Sequence, residues 1–314
     1  MYSKAFPLMK TNTQATPQLS HRPLFDFRSY ERIPYSDFRK SGGDSYIKLD
    51  NGWTNYELTG DATSVHTVVL IHGGTIPLCI WEPQMSPLLN AGFRVLRYDQ
   101  YGRGFSDRPQ TTFSRDLYVR QLKDLLDSLS ITAPVTLVGP SFGGAISVQF
   151  AALYPQRVRA LVLVSPALNI LNSDSPLCGP LKILRMPFIG KICYRAFIRS
   201  KILSRGISLV SPPCSDIYLN QFICIGTERA LFSQFRSDAY GDYRELTRKA
   251  GEVIPNILLI RGKSDAEITE KMIAETKSDL PSCTFVELEG GGHNPAADVA
   301  NQFNKLIVDY IGSH

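Results

Sequence analysis

The stretch Val135-Thr136-Leu137-Val138-Gly139-Pro140-Ser141-Phe142-Gly143-Gly144-Ala145-Ile146 decides the fold. Its first four residues are an apolar, largely β-branched run, the composition of a strand buried in a parallel sheet. Residues 145–153 are mostly apolar and stop before Pro155, which reads as a buried helix. Between strand and helix lies G-x-S-x-G. A chain that passes directly from strand to helix at a serine holds that residue in a strained, exposed apex where only small neighbours fit. Gly139 and Gly143 are those neighbours. The apex also stands at a helix N-terminus, where unpaired N–H groups and the helix dipole favour a developing negative charge. Ser141 is therefore a candidate nucleophile.

Working outward, the hydrophobic period switches between 2 and 3.6 in a regular alternation. Tyr46-Ile47-Lys48-Leu49 and residues 53–58 flank Asp50-Asn51-Gly52, a hairpin signal. Apolar strands follow at 65–71, 93–98, 158–165, 257–261 and 284–288, and helical patterns at 81–91, 114–129 and 296–310. This order predicts an α/β fold with a mostly parallel sheet flanked by helices and ligands at the carboxyl ends of its strands. Residues 167–254 lack a core strand and are too many for a loop, so they read as an inserted helical cap. The core is then 45–166 and 255–314. Residues 1–44, rich in Pro, Ser, Thr and Gln, read as a poorly ordered extension. Its Lys4, Lys10 and Arg22 faintly suggest organelle targeting, but Pro7, Pro17 and Pro23 interrupt any amphipathic helix.

Composition excludes several classes. A hydrophobic content of 43% supplies a full core, and a net charge of +5 from 34 Lys+Arg against 29 Asp+Glu is far below a nucleic-acid binder's excess. The six cysteines show no metal-ligand spacing and read as buried free thiols in a reducing compartment. No metal or cofactor is expected. No apolar run reaches bilayer-spanning length, and the expected location is cytoplasmic.

Two further residues fall at strand ends. His293, in Glu289-Gly290-Gly291-Gly292-His293, follows the last strand and is the candidate general base; Asp265 follows the preceding strand and is placed to orient it. The chain order Ser, Asp, His is that of the nucleophile-elbow hydrolases. With the His72-Gly73-Gly74 turn and the Asp99-x-x-Gly102-x-Gly104-x-Ser106 loop, these motifs make residues 45–312 resemble the α/β-hydrolase superfamily, its cap-bearing esterases and monoacylglycerol-lipase-like members most. The resemblance implies Ser141 as nucleophile, His293 as base, Asp265 as acid, and an oxyanion hole from the backbone N–H groups of Gly74 and Phe142. Asp174 and Glu267 are rival acids. His72 reads as a structural hydrogen-bonder, and Asp99 and Arg103 as braces of the neighbouring loop. His21, His66 and His314 have no supporting context.

The implied activity is a cofactor-independent serine hydrolase of carboxylic esters, lipid-like or acylglycerol-type, acting through an acyl-enzyme. Dehalogenases and epoxide hydrolases on this scaffold need a carboxylate nucleophile, and position 141 is serine. Carbon–carbon bond hydrolases and cofactor-free haloperoxidases share the triad and stay open, as does a non-catalytic ligand receptor on the same fold. Within the cap, residues 175–215 hold seven basic side chains (Lys182, Arg185, Lys191, Arg195, Arg199, Lys201, Arg205) and no acid. Ile189, Ile192, Cys193, Ala196, Phe197 and Leu203 recur at helical spacing, with Lys191, Arg195 and Arg199 along another side. One reading packs the apolar side onto the core. The other lays the cap on an anionic lipid surface.

Overall fold

The apolar runs become one sheet of eight strands: β1 (Ser45–Leu49), β2 (Gly52–Thr59), β3 (Thr67–Ile71), β4 (Arg94–Tyr98), β5 (Val135–Pro140), β6 (Val158–Val164), β7 (Ile257–Gly262) and β8 (Thr284–Leu288). Their spatial order is β1-β2-β4-β3-β5-β6-β7-β8. The computed structural model describes residues 33–210 and 212–314. β1 and β2 form the expected hairpin, β2 meets β4 antiparallel, and every pairing from β4 to β8 is parallel. The order reverses at β3: β4 lies on one side of it and β5 on the other. Such a switch point opens a crevice at the carboxyl ends of the strands.

Helices cover both faces, and for that reason β3 and β5 are buried along their whole length. Side chains alternate between two cores. Val69, Ile71 and Leu137 join Leu122 of α3 (Arg115–Ser128) and Phe150 of α4 (Phe142–Leu153). Val68, Leu70 and Val138 join Leu88 of α2 (Glu82–Asn90) and Ile307 of α13 (Ala300–Gly312).

The N-terminal expectation needs correction. Within 33–44, α1 (Tyr35–Lys40) packs Phe38 on Phe105 with ring centroids 5.1 Å apart, and Ile33 bridges to Cys224. The aromatic residues there supply a small core of their own. The rest of the extension, 1–32, lies outside the described residues.

Between β6 and β7 the described residues form no sheet strand but α5 (Cys178–Arg185), α6 (Ile189–Cys193), α7 (Arg199–Ser208), α8 (Cys214–Asn220), α9 (Thr227–Arg236) and α10 (Arg244–Val253). A π-helical turn, Tyr194–Ile198, fuses α6 to α7. Polar side chains tie this insertion to the core: Gln221 accepts from Gly104 N–H at 3.0 Å and donates to the Thr75 carbonyl at 3.1 Å. Of the six apolar residues read as one face in 189–205, Leu203 alone is buried. Ile189, Ile192 and Phe197 are exposed, while Tyr194, Leu203 and Arg199 are buried. Arg199 turns in to pair with Glu228, so it leaves the basic face.

The cysteine reading is also corrected. Cys79 and Cys214 form a disulfide with their Cα atoms 5.4 Å apart, and of the four free cysteines Cys224 alone is buried. The fold brings together thiols separated by 135 residues, a pairing that local spacing does not signal. After the insertion come α11 (Glu270–Asp279), β8, α12 (Pro295–Asp298) and α13.

Candidate active site

Ser141 sits between β5 and α4 with φ 50° and ψ −117°. Such a backbone costs a non-glycine residue about 1–3 kcal/mol, so the surroundings must fix it. They do so by hydrogen bonds. The Ser141 N–H donates to the Val164 carbonyl at 2.9 Å, and its carbonyl accepts from Ala167 N–H at 3.0 Å and Gly144 N–H at 3.1 Å. The flanking glycines are required by contact: a Cβ at Gly139 would strike the Gly143 backbone, and one at Gly143 would strike the Ile71 carbonyl.

His293 stands on the loop between β8 and α12, and Asp265 on the loop after β7. Nδ1 of His293 lies 3.0 Å from Asp265 Oδ2 and 3.2 Å from Oδ1. Burial pushes the Asp265 carboxyl up, but the hydrogen bond and charge of His293, the nearby Ser165 hydroxyl and the Ile268 N–H outweigh it and hold it below the usual carboxylate range. Asp174 is elsewhere, accepting from the Thr269 hydroxyl at 2.6 Å. Glu267 meets the other side of the imidazole. Its Oε2 is 3.2 Å from His293 Nε2, and its Oε1 pairs with Arg205 of α7. Nδ1–H donates to Asp265, so the contact with Glu267 is a hydrogen bond only when Nε2 also carries a proton. Ser141 and His293 line one cavity of about 190 Å³, yet among the described residues no hydrogen bond joins them.

The two N–H groups of the expected oxyanion hole are available. Phe142 opens α4, so its N–H has no intrahelical acceptor. Gly74 N–H likewise donates to no described residue, while its carbonyl accepts from Arg103 Nε at 2.7 Å. Arg103 also reaches Gln234 of α9, and Asp99 accepts from Leu78 N–H, Phe105 N–H and Asn55 Nδ2 at 2.8–2.9 Å. These contacts brace the turn. His72 is fully buried: Nδ1 donates to the Gly73 carbonyl at 2.7 Å and Nε2 accepts from Gln100 N–H at 2.9 Å. Burial pushes its pKa down to about 3, so it stays neutral.

Tyr240, Arg205 and the inward placement of Glu267 are not signalled by sequence. The Tyr240 hydroxyl lies against Gly74 where a Cβ would project, and its ring packs on Phe142 at 5.2 Å. Burial pushes this phenol up to about 12, so it stays a hydrogen-bond donor. The remaining lining is chiefly aliphatic, including Ile170, Leu181, Leu184, Ile198 and Ile202.

An eight-stranded, mostly parallel sheet with a serine at a strand–helix apex and a His–Asp pair on the neighbouring loops is the architecture of the α/β hydrolases. Residues 66–178 match the family model described as the alpha/beta hydrolase fold. The chain is 35% identical over 271 residues to the 2-hydroxy-6-oxononadienedioate/2-hydroxy-6-oxononatrienedioate hydrolase of Escherichia coli (strain K12), covering 82% of this chain and 94% of that protein. The like-named hydrolase of Cupriavidus pinatubonensis is 25% identical over 290 residues, covering 87% and 97%. The enol-lactonase from Burkholderia xenovorans LB400 shares the fold with a TM-score of 0.66 at 22% identity, over 85% of this chain and all of that one. The chain belongs to the α/β-hydrolase family and is a hydrolase.

Proposed function

We propose that the chain hydrolyses a carbon–carbon bond next to a ketone, with Ser141 as nucleophile, in a substrate whose acyl part is apolar. The observation that carries this reading is the 35% identity to a relative named for a 2-hydroxy-6-oxo-dienedioate. In the mechanism the 2-hydroxy-dienoate first ketonises, its hydroxyl proton moving to the carbon next to the 6-oxo group; His293 then takes the Ser141 proton and the alkoxide adds to the ketone carbon. The Gly74 and Phe142 N–H groups hold the oxyanion. When the tetrahedral adduct collapses, the electron pair of the broken bond passes into the conjugated dienolate, which takes the proton from His293. Water, deprotonated by His293, then splits the acyl-enzyme. Asp265 keeps the imidazole oriented and balances its charge.

The cavity argues for a substrate with fewer carboxylates than the relatives' names imply. Arg205 is the one Lys or Arg among its described lining residues, and Glu267 already pairs with it. A dianion would find no free positive charge there. The same apolar lining favours a second reading, a carboxylic ester with a hydrocarbon acyl chain, in which an alcohol leaves instead of a dienolate. The two are separated by comparing kcat/KM for a 2-hydroxy-6-oxo-dienoate bearing a hydrocarbon substituent, followed by loss of the dienolate absorbance, with that for p-nitrophenyl esters of graded chain length. Ester turnover more than about tenfold the faster would hand the assignment to the second reading; each tenfold is about 1.4 kcal/mol of transition-state binding.

A further inference from the structure

The helical run from Ile189 to Ser208 has two unlike sides. On one, Tyr194 and Leu203 are buried and Ile198 and Ile202 line the cavity of Ser141. On the other, Ile192 is 65% exposed and Phe197 66%. Phe188, just before the run, is 88% exposed. Its backbone is left-handed, with φ 59°, a conformation unfavourable for a bulky residue. A strained aromatic with almost none of its surface covered gains nothing from the chain's own packing, so its value lies in what it meets outside.

The neighbouring charges identify that surroundings' chemistry. A groove of about 590 Å³ beside Phe188 is lined by Lys191, Ile192, Arg195, Phe232 and Arg236, with no acid among its described lining residues. The Arg236 guanidinium lies over the Phe232 ring, 5.5 Å from its centroid. Exposed apolar side chains interleaved with cations on one surface match the acyl–headgroup boundary of an anionic bilayer. A second copy docked symmetrically would bring the same cations together, which disfavours self-association. We propose that this end of the insertion docks on an anionic phospholipid bilayer, with Phe188, Ile192 and Phe197 at the acyl boundary and Lys191, Arg195 and Arg236 at the phosphates. The proposal does not depend on which bond Ser141 attacks.

The test is co-sedimentation of the full chain with vesicles of phosphatidylcholine alone and of phosphatidylcholine mixed with phosphatidylglycerol. Each Lys or Arg near an anionic surface contributes a factor of about five. The wild type is therefore expected to prefer the anionic vesicles, and Lys191→Gln/Arg195→Gln to lose on the order of 25-fold in partitioning. Phe188→Ser is expected to lose about tenfold on the same vesicles. Hydrolysis of a soluble substrate should be unchanged in both variants, because none of the three residues lines the Ser141 cavity. Retention that is absent, or indifferent to lipid charge and to these substitutions, overturns the proposal. So does a concentration-dependent dimer that Phe188→Ser abolishes without any vesicle retention, since the patch would then be a protein interface.

Discussion

Replacing Glu267 by alanine is expected to speed turnover. In the structure Glu267 Oε2 lies 3.2 Å from Nε2 of His293, the nitrogen that accepts the Ser141 proton in the proposed mechanism. With Nε2 protonated the two groups hydrogen-bond, and that imidazolium must give up both its proton and this contact before it can serve as base. A hydrogen bond to a charged group contributes about 1.5–3 kcal/mol, and the length of this one puts it at the low end. The two side chains keep only 14% and 10% of their surface exposed, so solvent weakens it little. At about 1.4 kcal/mol per factor of ten, its loss should raise kcat/KM by up to about tenfold, the full gain falling where Nε2 is protonated in the free enzyme. The substitution leaves Arg205 without its partner, but that side chain is 46% exposed and stays hydrated, so the stability cost should be under about 1 kcal/mol. Glu267→Gln, whose amide still hydrogen-bonds, should give a smaller gain. The measurement is kcat/KM at neutral pH on one soluble substrate, alongside the melting temperature. A Glu267→Ala enzyme that melts like the wild type and is ten times slower would refute the argument and make the carboxylate an aid to the histidine.

Further outcomes follow from the same site. Ser141→Ala should abolish turnover with the fold intact, a loss of several orders of magnitude; a loss below about tenfold removes Ser141 from the mechanism. Asp265→Asn should cripple turnover through the wrong histidine tautomer whereas Asp174→Asn should not, and the reverse result exchanges the acids. Gly74→Ala forces its Cβ onto the Tyr240 hydroxyl and should slow the enzyme and lower its melting temperature. Adding Tyr240→Phe, which removes that oxygen, should restore the melting temperature; no recovery means the clash is not the cause. His72, at about 3 in the folded chain against about 6.5 unfolded, binds a proton on unfolding between those values. Stability should therefore fall as pH drops from about 6.5 to 3, by up to about 1.4 kcal/mol per pH unit. Urea midpoints across this range should show a flatter dependence in His72→Asn, and an unchanged slope rejects the assignment.

The sheet was legible because buried parallel strands must be apolar on both sides, as at 135–138 and 257–260, where no loop or surface helix shares that composition. The positions of Ser141 and Asp265 were legible because each follows such a run, and that of His293 because a glycine-rich loop carries it beyond the edge strand β8; the parallel order puts all those ends at one edge. Contacts made across the insertion were hidden. Nothing near Glu267 signals Arg205, and nothing near Gly74 signals Tyr240, because the approach depends on how separate helices settle on the sheet. Periodicity also defines a helix face without saying where it points. Ile192 and Phe197 share a spacing that suits a core, yet they face outward, and Arg199 of the basic row is the one turned in.

The Cys79–Cys214 bond fixes where the insertion can move. Cys79 lies in the turn Leu78–Trp81 just after the oxyanion turn, and Cys214 opens α8. One edge of the helical roof is thus riveted to the sheet by a covalent strut. In the same roof Arg205 of α7 is held to Glu267 of the core by an ion pair. Lifting α7 from the core would part Arg205 from Glu267, the carboxylate that also contacts His293.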